Sequence, residues 1–242
     1  MECLPGQKGG GKGMQKLAEE LLNELKVKTV FTIPIFGGIG ISESVVISWA
    51  VMVLLIAAAF YLGSNLKVRN PGRRQLLSEL IVSRLDSFTG EMLGEKGREY
   101  RSYMAVVLLY IGLANLIGIF GVKPPTKDLN VPIALSLMSI FLVEFAGIRA
   151  LGAKGWLKSF TKPVAIVTPI NILELFIRPL SLCMRLFGNV LGAFVIMELV
   201  KLVVPVGLPA VLSLYFDIFD GLIQAYVFVF LTSLYIKEEV GE

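Results

Sequence analysis

Long apolar stretches separated by short, mostly basic connections dominate the 242-residue chain. A helix needs about 20 apolar residues to cross a hydrocarbon core, and uncharged windows of that size run from Val45 to Leu66 and from Ser102 to Val122. Leu129 to Val143 is also uncharged and continues through Glu144 to Ile148. Beyond Pro163 the pattern changes. Asn171 to Val203 has helical length yet contains Glu174, Arg178, Arg185 and Glu198, and Leu208 to Ile236 carries Asp217 and Asp220. The pattern predicts an all-α membrane protein with five spans, at about 45–66, 102–122, 129–148, 171–203 and 208–236. As one helix, 171–203 would extend about 50 Å, far more than a core of about 30 Å, so the last spans are expected to be long and tilted.

Residues 41–242 thus read as a polytopic membrane domain and residues 1–40 as an N-terminal tail. The tail is polar and lacks an apolar core with a cleavage site, so no signal peptide is expected. In the connection between the first two spans, Leu76, Leu77, Leu80, Ile81 and Leu85 fall near one helical face. That spacing predicts an amphipathic helix lying at the membrane interface.

Composition narrows the chemistry. Hydrophobic residues make up 55% of the chain and charged ones 17%, against about 25% charged in soluble domains. Histidine is absent, which removes the commonest general base and metal ligand. Cys3 and Cys183 give neither a disulfide framework nor a metal-ligand spacing. No catalytic residue, metal or cofactor is therefore expected.

Eight lysines and arginines lie between Lys67 and Arg101, four between Arg149 and Lys162, and two between Lys123 and Asn130. The positive-inside rule makes the first two connections cytoplasmic, with the N-terminus outside and the C-terminus inside. Five lysines in the first 28 residues argue the other way, offset in part by four acids, and the longer basic connection decides. The same bias accounts for the net charge of +4 without a nucleic-acid partner. GQKGGGKG, residues 6–13, nearly fits a phosphate-binding loop, but Gly13 stands where the motif needs Ser or Thr. A flexible Gly/Lys tail is the preferred reading.

The charges inside the fourth span are ordered. At 100° per residue, Glu174, Arg178, Ser181, Arg185, Asn189 and Gly192 form one polar stripe on an apolar helix. Arg178 lies one turn after Glu174, and the spacing favours pairing or anchoring over transport. Arg185 has no acid three or four residues away, although an arginine at mid-membrane costs at least about 2.5 to 3.5 kcal/mol. A partner elsewhere has to compensate it. Gly188 and Gly192 beside it offer a small-residue surface for another helix. In the last span Ser213, Asp217, Gly221, Gln224 and Phe228 share a face, with Asp220 at its edge. For the two aspartates, capping of the outer helix end competes with ion handling, and for Gln224 helix packing does.

NILELFIRPLSLCMRLFGNVLGAFVI, DIFDGLIQAYVFVFLTSLYI and PPTKDLNVPIALSL together resemble the a subunit of F-type ATP synthases, over roughly Phe36 to Lys237. The resemblance implies a stator in the cell membrane beside a ring of c subunits, with a peripheral stalk of b subunits and the lipid bilayer as further partners. It implies two offset half-channels for H⁺ or Na⁺, through which the ring is driven, and no ATP chemistry in this chain. Arg185 then corresponds to the essential stator arginine. Asn189 and Gln224 match polar positions near it, Glu174 an acid toward the cytoplasmic half-channel, and Asn115 a channel-lining asparagine. In many members of the resembled family an acid or histidine is expected nine residues after the arginine, where this chain has Phe194. Asp217, with Asp220 or Glu198, is then expected to serve the outer half-channel, and Arg178 and Glu198 to be secondary.

Two other readings compete. A self-sufficient secondary transporter usually shows paired halves, and no internal repeat is evident. A scaffold would use the charged stripes for assembly alone.

Overall fold

The computed structural model describes residues 29–33, 39–64, 67, 72–120, 122, 124–159, 168–203 and 207–241. The Gly/Lys-rich segment at 6–13 lies outside the described residues. Strands β1 (Thr29–Ile33) and β2 (Ile39–Ser42) pair antiparallel, so the segment read from the sequence as an N-terminal tail carries a strand pair next to the first helix. Alternation of β-branched and aromatic residues in TVFTI supplies the strand signal.

Helix α1 runs over Glu43–Gly63, α2 over Arg73–Leu93, and α3 over Arg101–Leu116. Short 3₁₀ turns flank α3 at Arg98–Tyr100 and Ile117–Phe120, and a third covers Pro125–Lys127. Helix α4 is Asn130–Ser159 and α5 is Thr168–Val203. Helix α6, Leu208–Leu214, passes through a π-helical segment, Tyr215–Asp220, into α7, Gly221–Val240. Among the described residues, five helical stretches are long and apolar enough to cross a membrane, the number expected.

The boundaries differ where charge was taken as the limit of a span. Helix α4 does not end near Ile148 but continues to Ser159, broken at Gly152, whose φ of 72° and ψ of 156° leave the helical region. Such a backbone is essentially confined to glycine. Residues 144 and 156 would stand about 18 Å apart on a straight helix. Instead, Trp156 Nε1 donates to Glu144 Oε2 at 3.0 Å, so the end of α4 doubles back on its own body. The last span likewise reaches Val240 and is not one regular helix, because the π segment interrupts it.

Helix α7 is the hub, packed on α2, α3, α4 and α5. Its Ala225, Phe228, Val229 and Ile236 meet Met104, Val107 and Ile111 of α3, Val143 and Ala146 of α4, and Leu182 and Leu186 of α5 in one buried cluster. By contrast α1 is packed on little of its length, and Phe60 is 76% exposed. The first half of α2 also leaves Leu76, Leu77 and Leu80 exposed, while Thr89 and Leu93 are buried and Phe88 meets Tyr226 of α7 at 5.7 Å. An apolar face left open on a helix hooked to the bundle by one end is the arrangement expected at a membrane interface.

Polar ties gather at two poles. At one, Lys96 donates to the carbonyl of Gly241 at 2.9 Å and Arg149 pairs with Glu99 at 2.9 Å. At the other, Ser42 donates to Asp128 at 2.8 Å and Thr126 to Asn115 at 2.9 Å.

Candidate functional site

Arg178 and Arg185 share one stripe of α5 and one chemistry, yet their surroundings are opposite. Arg178 is 7% exposed. Its Nη1 lies 2.7 Å from Glu239 Oε1, and its Nη2 lies 3.0 Å from Glu238 Oε2 and 3.5 Å from Glu174 Oε1. The guanidinium also stacks 5.1 Å from the Tyr235 ring, a distance at which cation–π attraction operates. The pairing with Glu174 expected from the sequence is present, but it is the longest of the three. The other two acids come from the end of α7, so Arg178 clasps the C-terminal end of the hub helix.

Arg185 is exposed. Among the described residues no hydrogen bond or ion pair reaches it. The polar stripe runs along the margin of the buried face of α5: Arg178, Leu182, Cys183 and Leu186 are inside, while Met184, Arg185, Gly188 and Asn189 are outside. A Cβ added at Gly188 or at Gly192 would meet nothing within 4 Å. Among the described residues nothing therefore covers Gly188 and Gly192 on the face beside Arg185.

Asn189, one turn on, donates through Nδ2 to Gln224 Oε1 of α7. Gln224 is 2% exposed, and its Nε2 has no partner among the described residues. The side chain lines a cavity of about 130 Å³ together with Asn115, Lys127, Phe194, Asp217 and Asp220. At about 30 Å³ per water, such a space accommodates several water molecules. A buried amide donor facing it has a natural acceptor in water.

Both aspartates of the last span reach this cavity from the π segment, a form of helix that recurs at functional sites. Asp217 accepts a hydrogen bond from Ser213 at 2.6 Å and lies against Gly118. Asp220 is half-buried and has no hydrogen bond among the described residues. Asn115 is buried, donates to the carbonyl of Gly221 at 3.1 Å and accepts from Thr126. A Cβ at Gly221 would stand 2.9 Å from the Asn115 Cβ, so only glycine lets α7 approach α3 here. Asn115 thus both lines the cavity and fixes its walls. Glu198 lies on α5, and its side chain is outside the described residues.

The structure thus brings Asn115, Asn189, Gln224, Asp217 and Asp220 together and leaves Glu174 and Arg178 at the opposite pole. Sequence reasoning did not single out Glu238 and Glu239 as partners of Arg178, nor Glu144, noted only as an acid within its span, as the acceptor of Trp156. It also missed Lys127, whose Nζ sits 3.3 Å from the centre of the Phe194 ring. The signal for Lys127 was available, since it is the one basic residue in PPTKDLN.

The chain as a whole is similar to known proteins. The ATP synthase A chain family matches residues 45–237. The sodium-ion-specific ATP synthase subunit a of Propionigenium modestum is 33% identical over 221 residues, covering 85% of this chain and 76% of its own. ATP synthase subunit a of Moorella thermoacetica is 35% identical over 205 residues, covering 84% and 93%. That of Solidesulfovibrio magneticus is 36% identical over 202 residues, covering 81% and 84%. With four-fifths of its length matched and five spanning helices in place, the chain belongs to the ATP synthase A chain family, the membrane-embedded a subunits of F-type ATP synthases.

Proposed function

We propose that this chain is the ion-conducting stator of its synthase, passing ions through two half-channels to and from carboxylates on a ring of c subunits. The ring docks on the face of α5 that carries Arg185, Gly188 and Gly192, and b subunits hold the chain against rotation. The outer half-channel comprises the cavity at Asn115, Asp217, Asp220 and Gln224, and Asn189 links it to the Arg185 face. The inner half-channel opens near Glu174, at the pole of the two basic connections. The chain sits in the cell membrane with its N-terminus outside and its C-terminus in the cytoplasm.

The observation that carries this reading is the contrast between the two arginines. Arg178 has three carboxylates and Arg185 has none among the described residues. A carboxylate arriving at about 4 Å would gain roughly 4 kcal/mol at an effective dielectric near 20, enough to hold it ionised and weak enough to release it. Each ring carboxylate therefore discharges its ion on reaching Arg185 and cannot pass the arginine loaded, which blocks a short circuit between the half-channels. The coupling ion is H⁺ or Na⁺, the latter because one relative is named as sodium specific.

Arg185→Ala is expected to assemble normally and to abolish ion-driven ATP synthesis in reconstituted vesicles. Normal synthesis by that variant would sink the proposal, and loss of assembled complex in its place would favour a purely assembling role.

A further inference from the structure

A second cavity, of about 230 Å³, lies between α2 and α7 at the pole where Lys96 reaches Gly241. Its walls are ordered by polarity. Phe88 of α2 meets Tyr226 of α7 at 5.7 Å, and Tyr226 stacks on Phe230 one turn further on, with ring centres 6.0 Å apart. Beyond this aromatic end come Glu91 of α2 and Ser233, Leu234 and Lys237 of α7. Phe88 meets Tyr226 while Lys96, just past the end of α2, ties to Gly241, so both helices run toward the same pole. Both charged groups therefore lie on the polar side of the rings, and Lys237 stands about 16 Å along α7 from Tyr226.

Glu91 and Lys237 are the charged side chains among the lining residues, and neither side chain makes a hydrogen bond or an ion pair among the described residues. Ser233 donates its proton to the carbonyl of Phe230 at 2.7 Å, which leaves its oxygen an acceptor. One wall is a helix long enough to span a membrane, and the other is the helix whose open apolar face suits the interface. One cation and one anion at the polar end, with aromatic rings leading inward, have the polarity of a phospholipid. We propose that this cavity holds one zwitterionic phospholipid whose head carries a primary ammonium. Lys237 takes the phosphate, Glu91 takes the ammonium, and the acyl chains follow Phe230 and Tyr226 toward the membrane core. Opposite charges left unpaired in one cavity match a head that carries both, whereas a purely anionic head would set a like charge against Glu91. The lipid fastens the interfacial helix to the hub helix, independently of any half-channel.

The test uses the complete complex in vesicles of phosphatidylethanolamine and phosphatidylglycerol, with a trace of either lipid carrying a photoactivatable acyl chain, and maps the crosslinked peptides. Wild type is expected to capture the ethanolamine probe at residues 88–92 and 226–237 about tenfold more strongly than the glycerol probe, the size of one hydrogen bond to a charged group. Glu91→Gln is expected to abolish that preference. Lys237→Met is expected to lower capture of the ethanolamine probe by about tenfold, and Lys237→Arg to retain it.

Equal capture of the two probes by wild type overturns the proposal, as does an undiminished preference in Glu91→Gln. Absence of both probes from these segments in the complex overturns it too and gives the cavity to a protein partner. Glu91 is exposed and its side chain has no partner among the described residues, so Glu91→Gln is expected to assemble and decides the matter even where Lys237→Met does not.

Discussion

At Arg178 and Arg185 the same side chain meets opposite surroundings within two turns of one helix. Replacing Arg178 with Met leaves Glu239, the best buried of its partners, without its cation, while Glu174 and Glu238 are about half exposed. Losing one member of a buried pair costs about 3 to 5 kcal/mol, and solvent access to two of the partners reduces this to about 2 kcal/mol. Arg178→Met is expected to lower the melting temperature of the detergent-solubilised complex, and Arg178→Lys to restore it only in part, since an ammonium lacks the fork that reaches two acids. A melting temperature equal to wild type in both would show that the clasp contributes nothing. In the cavity, Asp217→Asn is expected to slow ion-driven synthesis more than Asp220→Asn does; wild-type rates in both would remove the aspartates from the outer half-channel. The sequence made Arg185 legible through a local absence, the lack of any acid at helical spacing. The full company of Arg178 was not legible, because Glu238 and Glu239 lie 60 and 61 positions further along the chain.

Among the elements, α4 departs most from expectation, and the cause is one backbone position. Hydropathy located its membrane-crossing body, carried it through Glu144 and ended it before Arg149, whereas helix geometry does not depend on what the flanking segment faces. Alanine at Gly152 would have to adopt a conformation costing about 1 to 3 kcal/mol. Gly152→Ala is expected to swing the terminal turns of α4 outward and release Trp156 from Glu144. In a Trp49→Phe background the emission of Trp156 would then move to longer wavelength, and an unshifted spectrum would count against the fold-back. Helix α5 behaved as its pattern implied: 36 residues, or about 54 Å, in one run with Pro179 inside it. The π segment was not legible, because a one-residue widening of a turn leaves no mark on a pattern read at 100° per residue.

For the whole molecule, the number and order of the spanning helices could be read from hydropathy alone. Their packing could not, because the choice of α7 as hub depends on complementary shapes far apart in sequence, such as Gly221 against Asn115. The assembled picture is of a multi-pass membrane protein that works as a component of a multi-subunit complex. Its two poles are tied by separate polar networks, with the Arg185 face lying between them. That face also bears on assembly. Among the described residues no carboxylate offsets Arg185 in the single chain, and a guanidinium at mid-membrane costs at least about 2.5 to 3.5 kcal/mol unless the side chain reaches for the surface. On the proposed function, a partner that brings a carboxylate to this face would remove that cost, so relief of a stranded charge would favour assembly alongside the new contacts.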